Sequence, residues 1–599
     1  MPKKKIIPID YTSRDFSSIR NDLLTYVKRY YPDTYKDFNE ASFGSLMLDT
    51  VAYVGDMLSF YLDYQANESF MDTSVEYSNI VKHAKQMGYK FRGTPLTYGE
   101  CTFYILVPVE TSAVTPDMRY APTLLRGTRL ETPGGSSFTL NENVNFADPA
   151  NSIVVAKRSS TTLAPTYFAI KSVGTVVSGE IMEELVQVGD FERFLKVELP
   201  GENIGEVTSV VDSSGNEYFE VDYLSQDVIY RELKSGDNSS NGAASVLKAF
   251  PATRRFVVEK ERDSTFLQFG YGSESELTNK SVVDPSEITL QVHGKDYITN
   301  TTFDPKNLTS TDKFGIAPGN TTLYIQYRKN SDANSNASAG SITKVVAPYV
   351  KYTDESALNS EVTSFISRNI ECTNENPIVG HVSLPTSAEI KRRAINTFAT
   401  QARAVTKQDY VSSIYSMPSK FGAVKRCMVM RDKDELKRNL NVYLISEGAA
   451  GEFVKTNSVI KENVKTWLNE VRMIGDTIDL LDAHIANVGI EFDAVVEDGF
   501  DAQTVLSLAI ENLVEVFGSS TNDIGESFYV TDVFKVLKDV DGLLDVEDVR
   551  IVSKTGGAYS ESSISIEENM SADGRVLGIP YDHIVEIKFP YSDIVGNIR

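Results

Sequence analysis

Asp49, Asp56 and Asp63 recur at intervals of seven residues, and carboxylates so placed are the first candidates for chemistry in this chain. On a helix they share one face, drifting by only ~20° per step. Successive members then stand ~10 Å apart along the axis. That is too far to share one metal ion or one proton. The stripe reads instead as a line of polar contacts to a basic neighbour on another helix or subunit, or as a solvated face. Tyr53, Phe60, Tyr61 and Tyr64 flank it and leave little plainly polar surface, which favours contact.

A second charge feature gathers Lys391, Arg392, Arg393, Arg403 and Lys407. On a helix of an acidic protein these residues form either an electrostatic docking strip or a solvated face with local salt bridges. Elsewhere the reactive residue types are scattered. His83, His293, His381, His484 and His583 fall in five different segments, and zinc needs clustered His or Cys. Cys101, Cys372 and Cys427 are odd in number and far apart, which predicts structural thiols in a reducing compartment. Asp539-Val540-Asp541-Gly542 lacks the third oxygen ligand of a calcium loop and predicts a helix-ending turn. Gly270-Tyr271-Gly272 lacks the third glycine of a dinucleotide fingerprint. No GxxxxGK[ST], GxSxG or HExxH occurs. No cofactor, metal or catalytic residue is expected, and the chain is not expected to be an enzyme.

With 599 residues the chain is long enough for several domains and large cores. Its 41% hydrophobic and 24% charged content is that of a folded globular protein. A net charge of −24 argues against nucleic acid as the main partner, because phosphate recognition needs a basic face. The start, MPKKKIIPID, is basic, but Pro8 and Asp10 interrupt it before any apolar stretch, so no secretory signal is expected. No run of ~18 apolar residues predicts a membrane span.

The elements that must carry these residues follow from periodicity. Thr12 to Asp15 offers a capping start for a helix bearing Phe16, Ile19, Leu23, Tyr26 and Tyr30 and stopped by Pro32. A second helix spans about 42–65, with Phe43, Leu46, Met47, Val54, Leu58 and Tyr61 as its apolar stripe. Thr73 and Glu76 stand in capping-box register for a third, and Gly88 predicts its C-cap. Residues 96–350 read as β-rich, in one or two subdomains, with strands such as 101–109, 256–260, 288–294 and 321–329 and turns at 213–217 and 331–341. The fold of 108–198 is left open. Beyond Pro385 helices and strands alternate. Helices are expected at 387–403 (Thr386/Glu389 cap), 407–416 (Thr406/Asp409 cap), 456–473, 502–517 and 531–540, with strands at 425–430, 441–446, 484–497, 546–553 and 583–589. Two loosely similar βαβ units are expected at 441–496 and 488–552. The fold class expected is multidomain α+β: an N-terminal helical domain, a β-rich middle and small C-terminal α/β sandwich domains.

Several packing signatures occur together and in one order: Asn39 to Gly44 with Ala52 to Asp56; 199–227; Phe266 to Gly272 with Tyr324 to Arg328 and Gly340 to Ile342; 387–414; and 525–552. In this order they resemble the baseplate wedge protein of contractile-tailed bacteriophages, within the baseplate J-like family and its ring-forming wedge subunit of T-even-type phages. The resemblance implies four regions: a helical wedge-bundle domain at 1–95, the β-rich middle at 96–350, a helical linker region of baseplate J-like type at 351–435, and α/β domains for copy-to-copy contacts at 436–599. It implies a structural role in a ring around the tail hub, which rearranges to trigger sheath contraction. The partners implied are a second copy of the chain, other wedge proteins, and hub and sheath-initiating proteins. No nucleic acid and no direct membrane insertion are implied. The place implied is the virion tail baseplate, after assembly in the host cytoplasm. Asp49, Asp56, Asp63, Tyr53, Tyr61, Arg392, Arg393 and Arg403 are the candidate interaction residues. The alternative is a receptor-binding or tail-fibre-type adhesin, suggested by the β-rich middle and its Ser/Asn/Gly loops. It predicts trimeric repeats and a fibrous C-terminus, and neither is visible in the sequence.

Overall fold

A computed structural model describes residues 15–31, 42–91, 93–110, 115–158, 164–201, 203–234, 245–261, 264–273, 314–330, 336–380, 382–432, 439–448, 451–497, 499–518 and 522–598. Thr12 of the first expected cap, Asn39 to Ala41, the expected strand at 288–294, the first part of the 331–341 loop, His293 and His381 lie outside these residues. The described chain is a multidomain α+β protein that divides into two units. One joins the residues up to Lys90 with Pro385–Ala399; the other holds Phe91–Leu384 and Thr400–Arg599.

The first unit is helical. Helix α1 (Phe16–Tyr30) is capped by the Asp15 carboxylate, which accepts from the Ser18 N–H, and Lys28 and Arg29 sit at its negative end. Helix α2 (Phe43–Glu68) starts on Ser42, whose hydroxyl oxygen accepts from the Ser45 N–H. Helix α3 (Tyr77–Gln86) ends in a Schellman motif. Gly88 donates to Lys85 O, Tyr89 donates to Ala84 O, and Gly88 takes φ +88°, a conformation glycine adopts without a Cβ clash. Its start corrects the sequence expectation. Glu76 is the N-cap but makes no side-chain cap bond, and Thr73 Oγ1 donates back to Asn67 O instead. Helix α4 (Ser387–Thr400) does carry its expected box: Thr386 N donates to Glu389 Oε2 at 3.0 Å, and Glu389 N to Thr386 Oγ1 at 3.3 Å. It stops three residues before the expected end, because Gln401 and Ala402 turn left-handed (φ +48° and +58°).

The second unit begins with β-sheet. Strand β1 (Tyr98–Pro108) pairs antiparallel along its length with the 14-residue β3 (Pro165–Ser178). Strand β2 (Ser152–Arg158) lies beside the N-terminal half of β3. The sheet continues through 137–140, 129–131 and 344–347 on one side and 371–373 on the other. Phe103, Phe138 and Ile170 are among its fully buried side chains. The second sheet runs in the order β4 (Glu180–Val188), β8 (Thr321–Lys329), β5 (Ile204–Asp212), 217–220, β6 (Arg255–Lys260), β7 (Thr265–Phe269) and 196–199. Val210, Phe256, Leu267, Phe269 and Ile325 fill its inner face. The stretch left open by sequence, 108–198, thus supplies strands to both sheets.

After helix α5 (Lys407–Tyr415), whose Thr406/Asp409 capping box is complete, the chain alternates as expected. Strands β9 (Arg426–Arg431), β10 (Asn439–Glu447) and β11 (Thr477–Asp482) form one small sheet, with helix α6 (Ser458–Val471) crossing between the parallel pair β10 and β11. The long β12 (His484–Val496) organises the next. It pairs antiparallel with β13 (Leu543–Ser553) and parallel with β14 (His583–Glu586) and β15 (Ile594–Ile598). Helices α7 (Ala502–Phe517) and α8 (Val530–Lys538) share its core: Ile490, Phe492, Ala509, Leu513, Val533 and Leu537 pack together. The expected βαβ unit at 488–552 is therefore corrected. Two helices separate β12 from β13, so the chain reverses three times instead of the two of a βαβ unit and returns antiparallel. Among the described residues, no helix is long and apolar enough to cross a membrane.

Candidate interaction surface

Helix α2 is amphipathic in the reverse sense. Its three buried residues are Ser45, Ala52 and Glu68. The half-buried line between them holds Leu48, Asp49, Gly55, Asp56, Ser59 and Asp63. Against this small and polar seam packs α1. Arg20 Nε donates to Asp49 Oδ1 at 2.5 Å, with Nη2 3.4 Å from Ser45 Oγ. Ile19 lies over Gly55, where a Cβ would meet its side chain at 3.3 Å. Asp56 and Asp63 continue the same line and make no ion pair among the described residues. The seam has a signal in the sequence. Ser45, Ala52 and Ser59 also recur by sevens, three or four residues from the aspartates and so one turn away on the same side of the helix.

The apolar residues of α2 face outward. Phe43 is 76% exposed, Leu62 64% and Tyr61 60%, and Tyr53, Leu58 and Phe60 are similarly bare. Phe60 and Tyr64 stack, with ring centroids 6.3 Å apart, and Phe60 meets Tyr61 edge-on at 6.0 Å. Helix α1 adds Tyr26 and Tyr30, 4.8 Å apart and both exposed. Monomeric proteins rarely leave a contiguous apolar face of this kind bare.

The C-terminal end of α2 is fixed by a residue that sequence reasoning missed. Buried Glu68 accepts from the Val75 N–H at 2.7 Å, the Glu76 N–H at 3.2 Å and Asn79 Nδ2 at 2.9 Å. It thereby caps α3 from another helix. Burial alone would raise its pKa, but these donors and the Lys391 cation outweigh burial and hold the carboxyl below its ordinary value. Nearby, the Tyr64 hydroxyl donates to Glu76 Oε1 at 3.0 Å, which raises the tyrosine pKa. No signal in the sequence separates Glu68 from the other acids.

The basic cluster is divided by the fold. Lys391 donates to Asp72 O at 3.0 Å and Ser74 O at 2.7 Å, and the Tyr77 hydroxyl donates to Pro385 O at 3.1 Å, so α4 is tied to the α2–α3 connection. Arg392 is exposed on α4 and Arg393 half-buried. Arg403 lies beyond the end of α4 and in the second unit, where its guanidinium reaches Gln401 Oε1 at 3.4 Å. The residues expected on one helix thus lie on α4, a turn and the start of α5. Cys101, Cys372 and Cys427 are buried, and burial pushes the Cys372 thiol up to about 12. Among the described residues, no group of three or more His, Cys, Asp or Glu side chains is placed to hold a metal ion. Asp539 caps α8 and Gly542 turns with φ +85°, the helix-ending turn expected there.

No curated protein matches the chain. In solved structures, a chain of the anti-feeding prophage baseplate (cryo-EM, six-fold symmetrised) aligns at 9% identity, over 95% of this chain and 90% of that one, with a TM-score of 0.25. A chain of the type VI secretion system TssK-TssF-TssG baseplate subcomplex aligns at 8% identity, over 74% of this chain and 96% of that one, with a TM-score of 0.29. These scores are too low to bear on fold or function. The segment that carries the seam and the exposed face is more specific: residues 15–86 match the family model described as bacteriophage baseplate protein, N-terminal domain, which supports a structural baseplate role.

Proposed function

We propose that this protein is a structural, non-catalytic subunit of a contractile-tail baseplate wedge, and that the exposed face of α2 is covered by partner helices when the wedge assembles. The observation that carries the reading is the reversed amphipathicity of α2 inside the matched segment: small and polar residues pack on α1 while Phe43, Leu58, Phe60, Tyr61 and Leu62 stay bare. In this reading Tyr53 and Tyr61 are anchors, Asp49 is committed to Arg20, and Asp56 and Asp63 rim the contact. Exposed Arg392 and Arg403 are further docking residues, with half-buried Arg393 supporting α4. The α/β domains at 436–599 make copy-to-copy contacts, the wedges close a ring around the hub, and that ring rearranges to release sheath contraction in the virion. A switching ring needs interfaces with two packings of similar energy and requires no catalytic residue.

The test is co-expression with neighbouring tail proteins followed by mass measurement, for the wild type and for a Phe60→Ser/Tyr61→Ser variant. Covering an aromatic or Leu-sized side chain contributes about 1.5–3 kcal/mol. The double variant is expected to weaken assembly by at least about 100-fold while leaving the chain folded. A wild type that remains monomeric with every tail protein, or a variant that assembles normally, refutes the reading. Point variants are preferred to deletion of residues 1–95, which would strip α4 of its neighbours and uncover Ile390 and Ala394.

A further inference from the structure

Two strand edges in the second unit stand open and match each other. Strand β2 pairs only with β3 among the described residues, and every residue from Ser152 to Arg158 is exposed. Ser152 to Ala156 carries no charge, so ~17 Å of its outer edge presents backbone donors and acceptors beside Ile153, Val154 and Val155. Its last two residues, Lys157 and Arg158, are basic and make no ion pair among the described residues. Strand β4 is the end strand of the other sheet and, among the described residues, pairs only with β8. Its first half is acidic. Glu180 is held by Arg129 at 2.8 Å and Glu183 accepts from Gln326 at 2.8 Å, while no described cation faces Glu183 or Glu184. Its second half bears Leu185 and Val186.

The order of charge along the two edges decides how they can pair. Antiparallel, the basic end of β2 meets the acidic end of β4. The register that sets Lys157 opposite Glu183 also sets Val155 opposite Leu185 and Val154 opposite Val186. Parallel pairing would instead set Lys157 and Arg158 against the apolar end. Pairing β4 with another β4 brings Glu toward Glu, so the charges that guard this edge against its own kind invite the basic one. A second copy supplies each edge with its complement, a basic end for the acidic one and an apolar run for the apolar one.

We propose that copies of this protein associate head to tail by β-augmentation, β2 of one copy adding antiparallel to β4 of the next. The contact is heterologous, so it propagates, closing a ring if the rotation allows and running on as a filament if it does not. It is independent of the α2 face, since it uses none of the residues in the first unit.

The test mixes full-length copies carrying Val155→Cys with copies carrying Leu185→Cys and adds a short bismaleimide. The three native cysteines are buried, so the new thiols are the reactive ones. Covalent dimers are expected from the mixture and not from either variant alone. Equal cross-linking of the Val155→Cys variant with itself, or no cross-linking in the mixture at about 100 µM chain, overturns the proposal. Glu183→Lys is expected to reduce the yield at least about tenfold, and Lys157→Glu on the partner copy to restore it. A yield that neither substitution moves also overturns it. All these variants keep the α2 face intact, so failure here leaves the wedge reading untouched.

Discussion

Glu68 makes a sharp test of how the N-terminal helices are joined. Its carboxylate satisfies two backbone donors at the start of α3, a helix with no side-chain cap of its own, and a third donor from Asn79. Hydrogen bonds to a charged group are each worth about 1.5–3 kcal/mol, and loss of an N-cap costs about 1 kcal/mol. These terms overlap. Glu68→Ala is therefore expected to cost α3 about 3 kcal/mol, roughly a 100-fold loss of amide protection. Glu68→Gln keeps a neutral acceptor at the same place and is expected to cost only about 1 kcal/mol. Hydrogen exchange read by mass spectrometry over residues 70–90 separates the two, and the second unit serves as an internal control. Because the folded pKa lies below the unfolded one, the stabilisation is present above the unfolded carboxylate range and is lost as pH falls through the folded value. Equal effects of Ala and Gln, or α3 protection that Ala leaves unchanged, would refute the capping argument.

Other outcomes follow from the same contacts. Gly55→Ala is expected to be neutral or stabilising by up to about 1 kcal/mol, since the half-buried Ile19 side chain can give way; Gly55→Leu is expected to part α1 from α2, read as faster exchange in 15–31. Glu586 joins two C-terminal sheets by accepting from Phe453 N at 2.5 Å and Asn487 Nδ2 at 2.8 Å. Burial raises its pKa, so the junction is most stable at acid pH and weakens as pH rises through the folded value. Glu586→Gln is expected to remove that dependence and to stabilise neutral protein by on the order of 1 kcal/mol, measured as thermal midpoint against pH. Arg20→Ala frees the Asp49 carboxylate on a half-exposed seam; a loss of about 1 kcal/mol or less is expected in α1–α2 exchange.

Where local signals decide an element, the sequence was legible. Helix α7 runs over the expected 502–517 and stops at Gly518, and both the Thr386/Glu389 and Thr406/Asp409 boxes form. Thr73/Glu76 has the same spacing and fails, because a buried carboxylate from α2 outcompetes a threonine hydroxyl for the same donors. Periodicity found the apolar stripe of α2 but carried no sign for which face would be covered within the chain. Strand direction was equally silent: nothing in 488–552 alone distinguishes a parallel return from the antiparallel one that two intervening helices impose. The site residues depend on such tertiary choices. Asp49 finds Arg20, 29 residues away, while Arg403 parts from Arg392 because Gln401 and Ala402 break the helix.

The discontinuity of the helical unit also sets a timetable. Its final piece, Pro385–Ala399, leaves the ribosome almost three hundred residues after Lys90. At ~5–20 residues per second that is a wait of roughly 15–60 s. Through it Lys391 and Pro385 are missing from Asp72, Ser74 and Tyr77, while the bare side of α2 is already made. Nascent chains on one message therefore carry a sticky, half-anchored segment for much of their synthesis. Whatever reaches it first, a chaperone or an assembly partner, does so before the segment's own last tie exists.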